Sequence, residues 1–299
     1  MDGSSVWFLA ILILSVATWF LGVQIARKRP DISDALIIGG LVGLGVWAWL
    51  MHRPDVGTQL IPTRVLAYLE GVGSVPLFML LVGAAFGRSR STREGGFTAM
   101  AGMLGMVYLF YGGWWMLQST PAHAFGGQSR TPAVMQTHDY SCVAASCTTT
   151  LRLVGIQTSE AEMAELTMTR PGSGSTLIRA AHAMSRKMGD QAEVAIVEMP
   201  YEHLDTMPMP AMTPLRFESS RYHMVTLLRV GDRGVWLLDP VDGLVYMAEP
   251  TFRGVYQRRL LILGPASPTM LARADAKIDR LLRMVHALRR DTLAQKTGT

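Results

Sequence analysis

The stretch QTHDYSCVAASCTTTLRLVG, residues 136–155, decides how the second half of the chain is read. A polar run ends at Ser141, small and apolar residues follow, and Gly155 closes the segment. That pattern predicts a helix over 141–154 with Ser141 as its N-cap and Gly155 as its stop. Cys142 then falls at the helix start, where free backbone N–H groups and the helix dipole favour a thiolate. Cys147, five residues on, points to the opposite face and reads as a packing residue. Two cysteines this close make no disulfide framework, so the fold must be stabilised by its core.

Working downstream, helices are expected over 159–168 and 176–188, separated by the breaker run at 170–175. After Gly189 the pattern turns to strands: 194–197, 211–217, 223–230, 235–239, 244–247 and 259–263. Residues 231–234 form a hairpin turn and Asp242-Gly243 a second tight turn. Helices first and strands later give an α+β domain, with the first helix packed on an antiparallel sheet. A thiolate nucleophile needs a base, and the base needs an orienting carboxylate. The hairpin register brings His223 close to Asp239, which supplies both. Gln136, six residues before Cys142, can offer a side-chain N–H to the oxyanion formed when a thiolate attacks a carbonyl. His138 is a rival base. His182 and His203 read as ordinary helix and loop residues. No group of Cys, His and carboxylates has metal-site spacing, so no metal and no cofactor are expected.

Three segments together, Gln136 to Ala145, Tyr222-His223-Met-Val-Thr-Leu and Leu238-Asp239-Pro240-Val-Asp-Gly243, resemble the peptidases that cut leader peptides from bacteriocin precursors, usually after a double glycine. Those domains are papain-like and often precede an ABC exporter. The resemblance covers roughly residues 131–263 and includes the trailing Glu249-Pro250-Thr251-Phe252. It implies a papain-like cysteine peptidase with Cys142 as nucleophile, His223 as general base, Asp239 as orienter and Gln136 as oxyanion donor. Ser141 and Val143 depart from the Asp and Gly that commonly flank the family's cysteine. No Gly-rich phosphate loop occurs, so a stand-alone form without an ABC transporter is expected.

Upstream, the composition changes. The 299 residues are 49% hydrophobic and only 17% charged, against about 25% charged in an average globular domain. Apolar stretches at 6–26, 35–51, 65–86 and 97–117 each approach the roughly 20 residues that span a hydrocarbon core. Four transmembrane helices are the natural count, the first reading as an anchor because Arg27-Lys28-Arg29 follows it and no basic residue precedes it. The loops after the first and third spans carry Arg27, Lys28, Arg29, Arg88, Arg90 and Arg93, whereas the other side has Arg53, Arg64 and Arg130. This bias puts both chain ends outside the cytoplasm, on the periplasmic side of a bacterial inner membrane. Gly39, Gly40, Gly43, Gly45, Gly102 and Gly105 would let the spans approach closely. Glu70 and Pro76 lie within the third span; an acid there is a functional candidate, but Glu70 is about a turn from the outer end and can reach water.

The expected layout is a four-helix transmembrane region at 1–118, a linker at 119–130, a papain-like peptidase domain at 131–264 and a basic amphipathic helix and tail at 265–299. Ser267-Pro268 starts that last helix. Its apolar stripe, Leu271, Ala274, Ile278, Leu281, Val285 and Leu288, admits packing on its own domain, a coiled coil with a second copy, or binding to anionic lipid. The net charge of +5 comes from loops and this tail, so nucleic acid is not an expected partner. A polypeptide substrate and the lipid bilayer are. The leading expectation is a membrane-anchored cysteine endopeptidase acting through an acyl-enzyme. An idle peptidase-like module that binds a glycine-rich segment, and a thioester-forming transferase or deamidase, are the alternatives.

Overall fold

The computed structural model describes residues 3–117, 125–126, 129–130, 133–217, 222–264 and 268–297, apart from the side chains of residues 3, 129–130 and 285–297. Most of the expected linker, the Ser267 cap and the outer part of the C-terminal stripe lie outside them. The chain divides into two compact units, residues 1–119 and 120–299.

The first unit holds α1 (Gly3–Lys28), α2 (Pro30–His52), α3 (Pro54–Leu60), α4 (Thr63–Leu69), α5 (Val75–Arg88) and α6 (Thr92–Gly113). Among the described residues, three helical segments, Ser4–Lys28, Pro30–His52 and Thr92–Leu117, are long and apolar enough to cross a membrane. The expected third span is not one helix. Its helix stops at Leu69, and Gly71 adopts φ +85°, a left-handed conformation that glycine enters without strain. The chain becomes helical again only at Val75-Pro76, where proline suits a first turn. The 14-residue α5 covers only about 21 Å of a core about 30 Å thick. Hydropathy averages over such a break because Gly71, Val72 and Gly73 are not polar.

α1 and α5 meet backbone to backbone. A Cβ on Gly83 would sit 2.2 Å from the Trp19 carbonyl oxygen, and one on Gly22 would sit 2.2 Å from that of Leu80. Of the glycines picked out by sequence, Gly40 and Gly43 face Leu81 and Leu77, Gly102 faces Trp19 and Gly105 faces Phe78, while Gly39 and Gly45 face no neighbour within 4 Å. Phe8, Ile11, Val72, Val75, Met79, Leu109 and Met116 form the buried centre of the unit.

The second unit contains β1 (Ser129–Arg130), β2 (Ala133–Val134), α7 (Cys142–Leu153), α8 (Glu160–Leu166), α9 (Leu177–Met188), β3 (Glu193–Glu198), β4 (Ala211–Arg216), β5 (Tyr222–Gly231), β6 (Gly234–Asp239), β7 (Gly243–Ala248), α10 (Glu249–Val255), β8 (Arg259–Gly264) and α11 (Pro268–Thr297). Six strands make one antiparallel sheet in the order β3-β8-β4-β5-β6-β7. Each expected strand and each of the three expected helices is present, and Gly155 (φ +98°) ends α7. Sequence reasoning missed α10, whose Phe252 is fully buried with Leu215, Val225, Leu227, Val235 and Tyr256.

The sheet is covered on both sides, which is why Met224–Leu228 of β5 is buried without alternation. Val225 and Leu227 pack toward Phe252, whereas Thr226 meets Thr150 of α7. Leu228 joins Leu153, Leu238, Ile278 and Leu282. Ile278, a member of the expected stripe, and Leu282, which the stripe left out in favour of Leu281, belong to α11, so this part of the helix packs on its own domain. Arg229 pairs with Asp279 at 2.5 Å, and Lys277 donates to the Arg152 carbonyl at 2.6 Å.

Candidate active site

α7 is the most enclosed helix of the domain, with small residues such as Ala144 and Ala145 letting it lie close to the sheet. Cys142 is its first residue and is 8% exposed. Three polar contacts set the helix against β5. Ser146 Oγ donates to the Met224 carbonyl at 2.9 Å, Thr226 Oγ1 donates to the Ser146 carbonyl at 3.2 Å, and the hydroxyls of Thr150 and Thr226 meet at 3.0 Å. The Cys142 thiol lies near enough to the His223 ring to help raise its pKa. Ser146 lies one helical turn from Cys142.

His223 Nε2 and Asp239 Oδ2 are 3.0 Å apart. The hairpin register differs from the expected one. Val230 pairs with Val235, but an irregularity between Leu227 and Arg229 shifts the ladder, so that Thr226 pairs with Leu238. Extended, this register aligns Asp239 with Val225, two residues from His223 and on the same strand face. The pair is therefore diagonal, and the long imidazole closes the gap. The other carboxylate oxygen, Oδ1, accepts the backbone N–H groups of Val241 (2.7 Å) and Asp242 (3.3 Å). The Asp239-Pro240-Val241-Asp242-Gly243 turn thus holds the carboxylate so that Oδ2 faces the histidine.

With Nε2 committed to Asp239, Nδ1 is the ring nitrogen left for the thiol. Burial disfavours the charged imidazolium, yet the hydrogen bonds and charges of Asp239 and Cys142 outweigh it and raise the His223 pKa to about 9. Burial pushes the Asp239 carboxyl up, but His223 and the two turn N–H groups hold it below the usual carboxylate range. Cys147 is fully buried, and burial together with the nearby Cys142 pushes its thiol far up, so it stays protonated.

Gln136 is tied to the same turn, its N–H donating to the Pro240 carbonyl at 2.8 Å. Its side-chain Oε1 is buried and has no hydrogen-bond partner, so one end of the amide is uncommitted within the described residues. Ser141 occupies the N-cap position, but its side chain makes no cap hydrogen bond. It turns instead to Glu160, a residue that sequence reasoning passed over because an acid in a first helical turn reads as ordinary dipole compensation. His138 is stacked on Tyr140 at 4.9 Å and edge-on to Phe125. Of the two candidate bases, His223 and its rival His138, His223 is the one paired with Asp239 and close to Cys142.

A thiol, an imidazole and a carboxylate in line can take a proton from sulfur, stabilise the imidazolium and return the proton to a leaving amine. Residues 130–268 match the Peptidase C39 family. This segment resembles a C39 peptidase domain. It is accordingly a cysteine peptidase domain, and that family is the one that the motifs around Cys142, His223 and Asp239 resemble. Among solved structures, the segment is similar to a double glycine motif protease from an AMS/PCAT transporter in complex with the leader peptide, at 20% identity over 46% of this chain and 93% of that one, TM-score 0.39. It is also similar to the peptidase domain of Streptococcus ComA, a bi-functional ABC transporter involved in a quorum sensing pathway. That likeness is 18% identity over 44% of this chain and 97% of that one, TM-score 0.41. No curated protein matches the chain.

Proposed function

We propose that the chain is a membrane-anchored cysteine endopeptidase in which Cys142 is the nucleophile, His223 the general base, Asp239 its orienter and Gln136 the oxyanion donor. The observation that carries this reading is the placement of one imidazole between Asp239 and Cys142. The thiolate attacks the scissile carbonyl, and the tetrahedral intermediate collapses to a thioester as His223 protonates the departing amine. Water, deprotonated by His223, then hydrolyses the thioester and restores the thiol. The Gln136 amide and the α7 N-terminus serve the oxyanion. The resemblance to leader-cutting peptidases favours a polypeptide substrate with a Gly-Gly or other small-residue cleavage site.

Residues 1–118 are the anchor, 119–130 the linker, 131–264 the peptidase and 265–299 a helix docked on it. The lipid bilayer is the partner of the three long apolar helices. The broken pair α4 and α5 makes the fourth crossing. An ion pair between Arg88, at the end of α5, and Asp34, near the start of α2, supports it by joining those ends. Stacking of Trp7 on Tyr68 joins the start of α1 to α4 at the other end. With four crossings and the basic loops inside, the peptidase faces the extracytoplasmic side.

The test is hydrolysis of a Gly-Gly-containing peptide together with mass spectrometry of polypeptides that accumulate in cells carrying Cys142→Ala. Cys142→Ala and His223→Ala should each abolish turnover, with an acyl-thioester trappable on native Cys142, while Cys147→Ala keeps most activity. Equal loss in both cysteine variants would mean the nucleophile is misassigned.

A further inference from the structure

Between Gln136 and Cys142 the chain runs through five residues with no helix or strand, yet this loop sets the distance between the proposed oxyanion donor and the proposed nucleophile. One buried carboxylate gathers it. Glu160, the first residue of α8, is 3% exposed. Its Oε1 accepts the Thr137 N–H at 2.9 Å and the Ser141 hydroxyl at 2.7 Å, and its Oε2 accepts the Thr137 hydroxyl at 2.5 Å. The loop is closed on itself by the same groups, since the His138 N–H donates to Ser141 Oγ and the Ser141 N–H to the His138 carbonyl, both at 3.1 Å.

We propose that Glu160 is a positioning residue of the peptidase, a buried clamp that holds Thr137 and Ser141 so that Gln136 and Cys142 keep their catalytic spacing. The inference rests on the reading of Cys142 as nucleophile and deepens it. Burying a carboxylate is costly unless its lone pairs are filled, and here both oxygens are filled by the two ends of this one loop. Three charge-assisted hydrogen bonds are stronger and more directional than neutral ones, which suits them to fixing geometry. Thr137 adjoins Gln136 and Ser141 adjoins Cys142, so releasing the clamp frees both ends of the catalytic segment together. Gln136 keeps only its anchor on the Pro240 carbonyl.

Glu160→Gln keeps the size and one acceptor but loses the second acceptor and the charge. The experiment measures kcat and KM for peptide hydrolysis by the full chain in detergent, with near-ultraviolet circular dichroism confirming native packing at the assay temperature. Displacement of reacting groups by about an ångström can cost about a hundredfold, so Glu160→Gln should lower kcat tenfold to a hundredfold and leave KM within about twofold. Thr137→Val with Ser141→Ala, which leaves Glu160 in place, should lower kcat similarly, and adding Glu160→Gln to that pair should cost no more than about twofold further. The clamp is overturned if Glu160→Gln keeps kcat within about twofold of native, or if the losses multiply as independent sites would. Should Glu160→Gln not fold, the Thr137 and Ser141 pair decides alone, and an unchanged kcat there overturns the proposal. Failure of the nucleophile reading is separate, because it would show as full activity in Cys142→Ala.

Discussion

The hydroxyl of Ser146 donates to the carbonyl oxygen of Met224 at 2.9 Å, across 78 positions of sequence. Ser146 is one turn from Cys142, and Met224 is the residue after His223. This bond therefore ties the strand that carries the imidazole to the helix that carries the thiol. Ser146→Ala leaves a buried carbonyl without its donor, and such a group costs about 1–3 kcal/mol. Chemical denaturation should show a loss of that size, and peptide turnover should fall by more than the unfolded fraction explains. Unchanged turnover in the folded variant would mean that packing alone aligns the pair.

Gln136→Ala removes a side chain whose Oε1 is buried without a partner among the described residues and should leave stability nearly unaltered. Turnover should fall by about 10² to 10³, the loss typical of one oxyanion donor. Steady-state kinetics on a peptide substrate checks this. A fall of under about threefold, far short of that figure, would assign the oxyanion to backbone N–H groups.

The His223 pKa, raised from 6.5 to about 9, predicts how stability varies with pH. The folded state holds the imidazolium more tightly than the unfolded chain does. Its contribution is complete below pH 6.5 and is lost as pH rises toward about 9. Asp239, held below its ordinary 3.8, contributes above that value and loses its contribution as acid protonates it. Urea denaturation across this range should show stability falling on the alkaline limb, and Asp239→Asn should flatten that limb. A slope unaltered by Asp239→Asn would assign the shift to another partner.

In the first unit, Gly83→Ala should be far more damaging than Gly39→Ala. The added methyl at Gly83 meets the Trp19 backbone at 2.2 Å, where nothing can rotate away, whereas at Gly39 it meets nothing within 4 Å. Overpacking of this kind costs about 1–3 kcal/mol. Thermal unfolding in detergent should show a lowered midpoint for Gly83→Ala only, and equal midpoints would exclude a close α1 and α5 contact.

Topology is checked by fusions after Thr299. A reporter that fluoresces only in the cytoplasm should stay dark, and one active only after export should work. The opposite pattern would put the peptidase on the cytoplasmic side, where it would meet precursors before export, and would leave the chemistry of Cys142 unaffected.

The strands and the three helices after Gln136 were legible in the sequence, because each rests on neighbours within a turn or a hairpin, and the sequence also singled out Cys142, His223, Asp239 and Gln136 as the candidate site. Alternation marks a strand, Gly155 ends a helix, and Asp242-Gly243 reverses a chain wherever they occur. What the tertiary structure decided involves partners far apart. The glycines that matter most to α1 and α5 are Gly22 and Gly83, rather than the run in α2, since only the docked helices show where two backbones touch. The diagonal seating of His223 on Asp239 follows from a ladder irregularity that no spacing rule indicates. Ser141 has a side chain suited to capping its own helix, yet it turns to Glu160, 19 positions away. A short polar side chain accepts whichever partner folding presents, and that choice is made by the packing of α8 against α7 rather than by local sequence.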